Sequence, residues 1–218
     1  MKYFITILMF VILSGCNKKE EQPKNNNSEF LSVQKDSLIL IEQEKVIADI
    51  KFNMAEKEVK MKIKKFIHNS QKLDYDYGSF KTYDYLIGNY KFSEYGVRDY
   101  YYEKKLYKFE IEGDLIEWKY LDTELKEQVK HIYNVITPKY GKPNLSYEIL
   151  ASYQMNEDYS YLIYQWKIGK KEIEIRVEDT GSYYRVNVLI FLADIEKLLR
   201  EKEKLKEKEQ TDSAKEIF

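Results

Sequence analysis

Apolar residues recur with a helical period in the first half of the chain. They lie at positions i, i+4, i+7 and i+8 of one face, namely Val59, Ile63, Phe66 and Ile67. This spacing predicts an amphipathic helix over 54–68 that ends near Asn69 and Ser70. Asn53 with Glu56 three residues later matches a capping pair at its start.

A second helical period follows in the middle of the chain. Its apolar positions are Leu125, Val129, Ile132, Tyr133 and Ile136. Asp122 or Thr123 is the predicted cap at the start of this helix. The sequence Tyr140-Gly141-Lys142-Pro143 is expected to end it, because Gly accepts a left-handed conformation and Pro cannot continue a helix.

The segments after each helix alternate with the period of two that is typical of strands. Tyr107, Phe109 and Ile111 alternate with charged residues, which predicts a sheet with one buried and one solvated face. A loop is expected over 74–79. The predicted strands cover about 83–92, 97–103, 106–112, 146–154, 159–168, 171–178 and 183–192.

The two halves of the chain therefore share one order of elements, a helix followed by antiparallel strands. Residues 100–111 even align loosely with 164–175. We predict an α+β fold of two helix-plus-antiparallel-sheet units in tandem within a domain over 30–193, whose core covers about 46–192.

In this order of elements the chain resembles several groups of small bacterial proteins. They are the beta-lactamase-inhibitor-like proteins, the small outer-membrane assembly lipoproteins, and uncharacterised proteins of AT-rich bacteria or prophages. The last group shares a helix-end sequence like Tyr140-Gly141-Lys142-Pro143 and a later strand like that of Trp166. These resemblances imply a helix packed on an antiparallel sheet and little about function.

Both ends of the chain differ from this body. Residues 194–218 are rich in Lys and Glu, with a short apolar stripe of Ile195, Leu198 and Leu199. They predict a charged C-terminal helix whose first turns dock on the domain. Residues 16–29 are polar and include a run of Asn, which is typical of a flexible tether.

The amino-acid composition excludes several classes of function. The chain has 36 Lys and Arg against 37 Asp and Glu, so no charge of one sign favours nucleic acid as a partner. Its single Cys excludes an internal disulfide or a cysteine-built zinc site. No nucleotide, acyl-transfer or metalloprotease motif accompanies His68 and His131. We therefore expect no catalysis, no metal and no cofactor other than a covalent lipid.

The N-terminus has the anatomy of an export signal. An apolar run from Tyr3 to Leu13 is too short to cross a bilayer and ends in Leu13-Ser14-Gly15-Cys16. This sequence closely resembles the lipobox of bacterial lipoproteins. The resemblance implies that Leu13, Ser14 and Gly15 are recognised by signal peptidase, that residues 1–15 are removed, and that Cys16 carries diacylglycerol and palmitate. An ordinary signal peptide with a chance Cys is the alternative.

A lipid on Cys16 predicts a protein of the cell envelope that is anchored to a membrane. In a Gram-negative cell we expect the protein in the outer membrane or at the cell surface. Lys18-Lys19-Glu20-Glu21 resembles the short charged tract that directs some Bacteroidetes lipoproteins to the surface. The alternative is that these charges only keep the tether soluble.

Tyrosine is the most unusual residue type, with 21 copies in two strand clusters. On alternating strands about half of them point away from the core, and aromatic residues are enriched at interfaces. We predict a binding surface formed by Tyr100, Tyr102, Tyr161, Tyr164, Trp166 and Tyr183. The alternative is that Tyr serves only as a strand former.

These observations predict a non-catalytic envelope lipoprotein that binds or inhibits an envelope or surface protein. One alternative is a structural lipoprotein of an outer-membrane assembly. The other is an enzyme of cell-wall or surface glycan, for which Glu172, Glu174 and Glu178 supply carboxylates but no recognisable arrangement.

Overall fold

The structure is a computed structural model that describes residues 40–77, 80–88 and 90–215. The predicted signal peptide, Leu13, Ser14, Gly15, Cys16 and the tether lie outside these residues. The described chain begins in a helix, α1, at 40–44, followed by a small hairpin of β1 (Lys45–Ile47) and β2 (Ile50–Lys51). No helix within the described ranges has the length and apolar content needed to cross a membrane.

The first half then continues with helix α2 and four long strands. Their bounds are α2 Glu56–Asn69, β3 Gln71–Tyr77, β4 Phe80–Ile87, β5 Tyr90–Tyr102 and β6 Lys105–Gly113. A short strand follows, β7 at Ile116–Glu117. The chain then turns through a 3-10 helix at Trp118–Tyr120 and a π-helical turn at Leu121–Leu125.

The second half also begins with a helix that strands follow, and it ends in a further helix. Its elements are α3 Lys126–Tyr140, β8 Leu145–Ser146, a 3-10 helix at Ser152–Gln154, β9 Ser160–Ile168, β10 Lys171–Asp179, β11 Tyr183–Leu192 and α4 Ala193–Lys215. Gly141 ends α3 with φ of 79°, a conformation that favours glycine, so the predicted end of this helix is confirmed.

Strands of both halves join one antiparallel sheet, which confirms the α+β prediction. Its order is β3-β4-β5-β6-β11-β10-β9-β8, and β7 pairs with β11. The halves meet where β6 pairs with β11, with Ile111 opposite Val188. Because β3 to β11 form this single sheet, and β1 and β2 form a separate two-stranded sheet, two tandem units are not confirmed.

Helices α2 and α3 cover one face of the sheet and enclose the main core. This core joins both helices to the central strands through fully buried side chains such as Val59, Phe92, Phe109, Leu125 and Ile175. The first turns of α4 lie on the other face, against β6 and β11. There Leu189 and Phe191 are also buried, whereas Leu198 of the predicted apolar stripe is 38% exposed.

Several local predictions are wrong. Helix α2 begins after Ala55 without a side-chain cap, and Asn53 instead has φ of 63°, in the left-handed region that Asn tolerates. The helical path leading into α3 already begins at Trp118, so Asp122 and Thr123 lie inside a turn rather than capping a helix.

One predicted loop and one predicted strand are also wrong. Most of the expected loop over 74–79 belongs to the hairpin of β3 and β4, where Asp74 pairs with Tyr83. The expected strand over 146–154 is reduced to Leu145–Ser146, because only these residues pair with β9. Residues after it contact β9 only through isolated bonds such as Tyr147 N to the Ile163 carbonyl, at 2.8 Å.

Candidate binding surface

The predicted surface residues of the first half lie on the α4 side of the sheet and are partly covered. The Tyr100 hydroxyl donates to Glu110 Oε2 at 2.8 Å, and burial, with this carboxylate, raises the pKa of Tyr100 to about 12. The Lys202 ammonium of α4 lies 5.5 Å from the centre of the Tyr102 ring. Both rings are therefore engaged within the protein.

Three predicted residues of the second half lie on the opposite face, among the core. Trp166 is only 1% exposed, and its Nε1 donates to the Gly141 carbonyl at 2.9 Å. Tyr164 packs with its ring centre 4.8 Å from that of Tyr133 on α3. Tyr161 accepts a hydrogen bond from Asn156 N at 2.7 Å.

Only Tyr183, 41% exposed at the start of β11, faces solvent freely among the six predicted residues. The six therefore do not form one surface. Trp166 in particular cannot belong to an exposed surface, because its indole is buried between the end of α3 and the sheet. Its inward position follows from the register, which places Trp166 opposite the buried Ile173.

A different group of aromatic side chains is exposed together at one end of the sheet. We call this group the aromatic end: it consists of Trp118, Tyr120, Tyr153, Tyr159 and Tyr183. Trp118, Tyr153 and Tyr159 are 61%, 86% and 62% exposed. Large aromatic side chains that remain this exposed in a group are typical of binding surfaces.

Backbone hydrogen bonds hold the segment of Trp118 beside Tyr183. Strand β7 pairs with the start of β11, with Glu117 opposite Tyr183. Trp118 N then donates to the Ser182 carbonyl at 3.3 Å. The short β7 thus fixes the 3-10 turn that carries Trp118 and Tyr120 next to the β10–β11 turn.

The segment of Tyr159 is bound to the same turn from the other side. Asp158 N donates to the Asp179 carbonyl at 2.7 Å, and Asp179 N donates to the Tyr159 carbonyl at 3.1 Å. Asp179 Oδ1 in turn accepts from Gly181 N at 2.8 Å. The aromatic end is therefore a set of connected loops rather than independent side chains.

A shallow cavity of about 390 Å³ lies within the aromatic end. Trp118 and Tyr153 line it, together with Asp122, Lys126 and Ser152. The Lys126 ammonium lies 2.5 Å from Asp122 Oδ1, so the cavity combines aromatic faces with a neutral ion pair. These groups suit contact and hydrogen bonding with a partner.

The opposite end of β9, β10 and β11 receives the chain from the predicted tether. Lys171 Nζ donates to the carbonyls of Glu42 and of Lys45, the latter at 3.0 Å. Gln43 packs against Gly169 in the β9–β10 turn. We call this region the anchor end. Strands of nine or ten residues place it about 30 Å from the aromatic end.

Lys171 is the most unusual ionisable group of the anchor end. Its side chain is fully buried, and burial lowers its pKa to about 8, an effect that Glu42 opposes and that Lys139 and Lys45 reinforce. Its ammonium also lies 4.6 Å from the centre of the Tyr140 ring. These contacts join Lys171 to α1, β1 and the end of α3. Lys171 therefore fixes the first described residues of the chain to the sheet.

Nothing in the described part of the chain resembles a metal centre, since no group of three or more His, Cys, Asp or Glu side chains converges there. No protein-family model matches the chain, and no curated protein or solved structure is significantly similar to it. The candidate site therefore rests on the geometry of the aromatic end alone.

Sequence reasoning missed Trp118 and Tyr120 because neither belongs to an alternating strand. The signal that could have found them is their position between a strand and a helix, in a segment with no apolar period. Exposed loops that a rigid sheet positions are common sites of binding.

Proposed function

We propose that this protein is a lipid-anchored bacterial envelope lipoprotein, without catalytic activity, that binds an envelope or surface protein through its aromatic end. The observation that carries the proposal is the group of five exposed aromatic side chains on connected loops. Trp and Tyr supply large contact areas with few rotatable bonds, which makes them frequent anchors of protein interfaces.

The position of the aromatic end supports the same function. The described chain begins at the anchor end, so the segment that carries Cys16 joins the domain on the side of Glu42 and Lys45. The aromatic end lies at the other end of the strands, about 30 Å from this attachment, so the attachment leaves it uncovered. A partner in the envelope space or outside the cell can reach it there.

Site-specific photocrosslinking in intact cells tests this proposal. A benzophenone amino acid replaces Trp118, Tyr153 or Tyr183 in the full-length protein, and Tyr95 is the matched control. Tyr95 is 91% exposed but lies on β5, outside the aromatic end. We expect one adduct of the same partner from the three test positions and none from position 95. Equal adducts from all four positions would contradict the proposal.

Alanine substitutions measure how much each aromatic side chain contributes to the binding affinity. We expect Trp118→Ala and Tyr153→Ala each to weaken binding of the crosslinked partner by at least about tenfold, as truncation of an interface anchor does. Tyr95→Ala is expected to leave the affinity unchanged. Because these side chains are exposed, the thermal midpoint of each variant should match that of the wild type.

A glycan is the second candidate partner, and the cavity beside Trp118 favours it. An aromatic ring flanked by Asp122, Lys126 and Ser152 offers both a stacking face and hydrogen-bonding groups to a sugar. Protease treatment of the crosslinked adduct distinguishes the two. Mass spectrometry of the digest then finds a second peptide on the crosslinked peptide of this protein if the partner is a protein, or a sugar mass that a glycosidase removes if the partner is a glycan.

A further inference from the structure

A separate cavity of about 240 Å³ lies between α3 and the sheet, near the anchor end. The hairpin of β1 and β2 forms one wall, and the cavity opens to solvent on one side. Most of its lining is aliphatic and comes from six different elements, as shown by Val46, Ile87, Ile111, Ile132, Ile173 and Val188. None of these residues belongs to the aromatic end.

Apart from the hydroxyls of Tyr90 and Tyr140, the polar side chains at this cavity are basic. Lys45, His131 and Lys139 line it, and no carboxylate is among its described lining residues. Lys139 forms an ion pair of 2.6 Å with Glu42, which lies outside the lining. His131 packs closely against Gly88, where an added Cβ would lie 2.3 Å from Nε2. The cavity therefore combines an apolar interior with basic groups.

We propose that this cavity binds a medium-chain fatty acid, with the hydrocarbon chain between α3 and the sheet and the carboxylate beside Lys45 and Lys139. The aliphatic lining excludes a polar ligand, since it offers few hydrogen-bonding groups. The basic groups favour an anionic over a neutral or cationic head.

The volume of the cavity limits the number and length of the hydrocarbon chains that a ligand can have. Its volume is slightly below the usual lower limit of about 300 Å³ for ligand pockets, which suits one short chain rather than a phospholipid with two. Each methylene group that enters increases the affinity about fourfold, until the chain exceeds the depth of the cavity. This proposal does not depend on the function of the aromatic end.

Photolabelling of the full-length protein in membranes tests the proposal. The probe is decanoic acid that carries a diazirine on its chain, and excess decanoate is the competitor. We expect labels on the peptides of α3 and β10 that line the cavity, and loss of these labels with decanoate. A diazirine decylamine of opposite charge should label them at least about tenfold less.

Two substitutions to Trp provide a matched pair. Val135 lies at the cavity and is 52% exposed, so Val135→Trp blocks the opening without disturbing the core. Met61 is 60% exposed on α2 and lies outside the cavity. We expect Val135→Trp to reduce labelling at least about tenfold and Met61→Trp to leave it unchanged. Equal thermal midpoints show that both variants are folded.

Three results would overturn the proposal. The first is labelling that is spread over the surface or is equal in both Trp variants. The second is equal labelling by the acid and the amine, which removes the role of Lys45 and Lys139. The third is labelling that occurs only after deletion of residues 17–39, which identifies this segment as the occupant of the cavity.

Discussion

At the scale of single residues, two buried polar side chains bind the ends of elements to the sheet. The Trp166 indole donates to the carbonyl of Gly141, directly after α3. The Lys171 ammonium donates to the carbonyls of Glu42 and Lys45, which belong to the entering chain. Each supplies a hydrogen bond to a carbonyl that a helix or turn leaves unpaired.

The substitution Trp166→Phe separates this hydrogen bond from most of the apolar contact. The variant keeps an aromatic ring against Tyr133 but loses the donor to the Gly141 carbonyl and part of the indole volume. We expect the free energy of unfolding to fall by about 2 kcal/mol, measured by urea denaturation. Tyr183→Phe, at an exposed position, should change it by less than about 0.5 kcal/mol. Similar losses for both variants would contradict the role of Trp166.

Lys171 predicts a specific dependence of stability on pH. Its pKa is about 8 in the folded protein, below the value of about 10.4 in an unfolded chain. At neutral pH both states are protonated, so burial of the charge lowers the stability. As the pH rises above 8, the folded state releases its proton first and the free energy of unfolding increases.

The variant Lys171→Met removes this titration and is the reference for the measurement. From about pH 7 to about pH 9.5, we expect the stability of the wild type to rise by about 2 kcal/mol relative to the variant. Glu42, Lys45, Lys139 and Tyr140 surround Lys171 and are present in both proteins. A constant difference over this range would show that the ammonium is not destabilised by burial.

At the scale of elements, α4 consists of a docked part and a projecting part. Near its start Glu196 lies 3.7 Å from Lys108 on β6, while residues 201–211 are exposed throughout. Leu205 is 61% exposed, so the apolar stripe does not continue on the sheet. The helix is thus stabilised by packing only in its first turns.

Two truncations test this division of α4. Deletion of 207–218 should change the free energy of unfolding by less than about 0.5 kcal/mol, because the side chains described in this segment, those of 207–211, are all exposed. Deletion of 194–218 should lower it by at least about 2 kcal/mol and promote aggregation, since Leu189 and Phe191 become exposed. Thermal unfolding and light scattering measure both effects. Equal stability of the two truncations would refute the docking.

The elements that sequence predicts well are those with a strong period. The runs around Val59, Val129 and Ile173 produce α2, α3 and β10 almost as expected. The sequence does not predict the hairpin of β3 and β4, because Asp74, Asp76 and Gly78 are typical turn residues. The pairing of these strands depends on strands that are distant in the sequence. Residues 146–154 alternate weakly, and their neighbours in space determine that they do not form a long strand.

The candidate site is less predictable because exposure is a property of the assembled sheet. Tyr164 and Tyr183 belong to similar Tyr-rich strands, yet one packs under α3 and the other faces solvent. Local sequence does not contain the register that produces this difference. The aromatic end also combines segments separated by more than sixty residues, from Trp118 to Tyr183.

At the scale of the whole molecule, our proposal attaches the protein to a membrane through a lipid on Cys16. We expect Cys16→Ala to abolish incorporation of a palmitate analogue in growing cells, because the proposal places the lipid on this thiol. Mass spectrometry and fractionation should then find the variant without lipid and released from the membrane. Ser14→Ala, which keeps a small residue in the lipobox, is the control and should retain the label. Label that persists in Cys16→Ala would contradict the anchor.

The separation of the anchor end from the aromatic end also has a mechanical consequence. Under our proposal, a partner at Tyr183 and a membrane attached through the segment before Glu42 would pull on opposite ends of β9, β10 and β11, along the direction of the strands. The hydrogen bonds of antiparallel strands lie perpendicular to this direction, so they share the force instead of breaking one by one. The contacts of Lys171 with Glu42 and Lys45 would receive that force first, and we expect them to break before the strands separate.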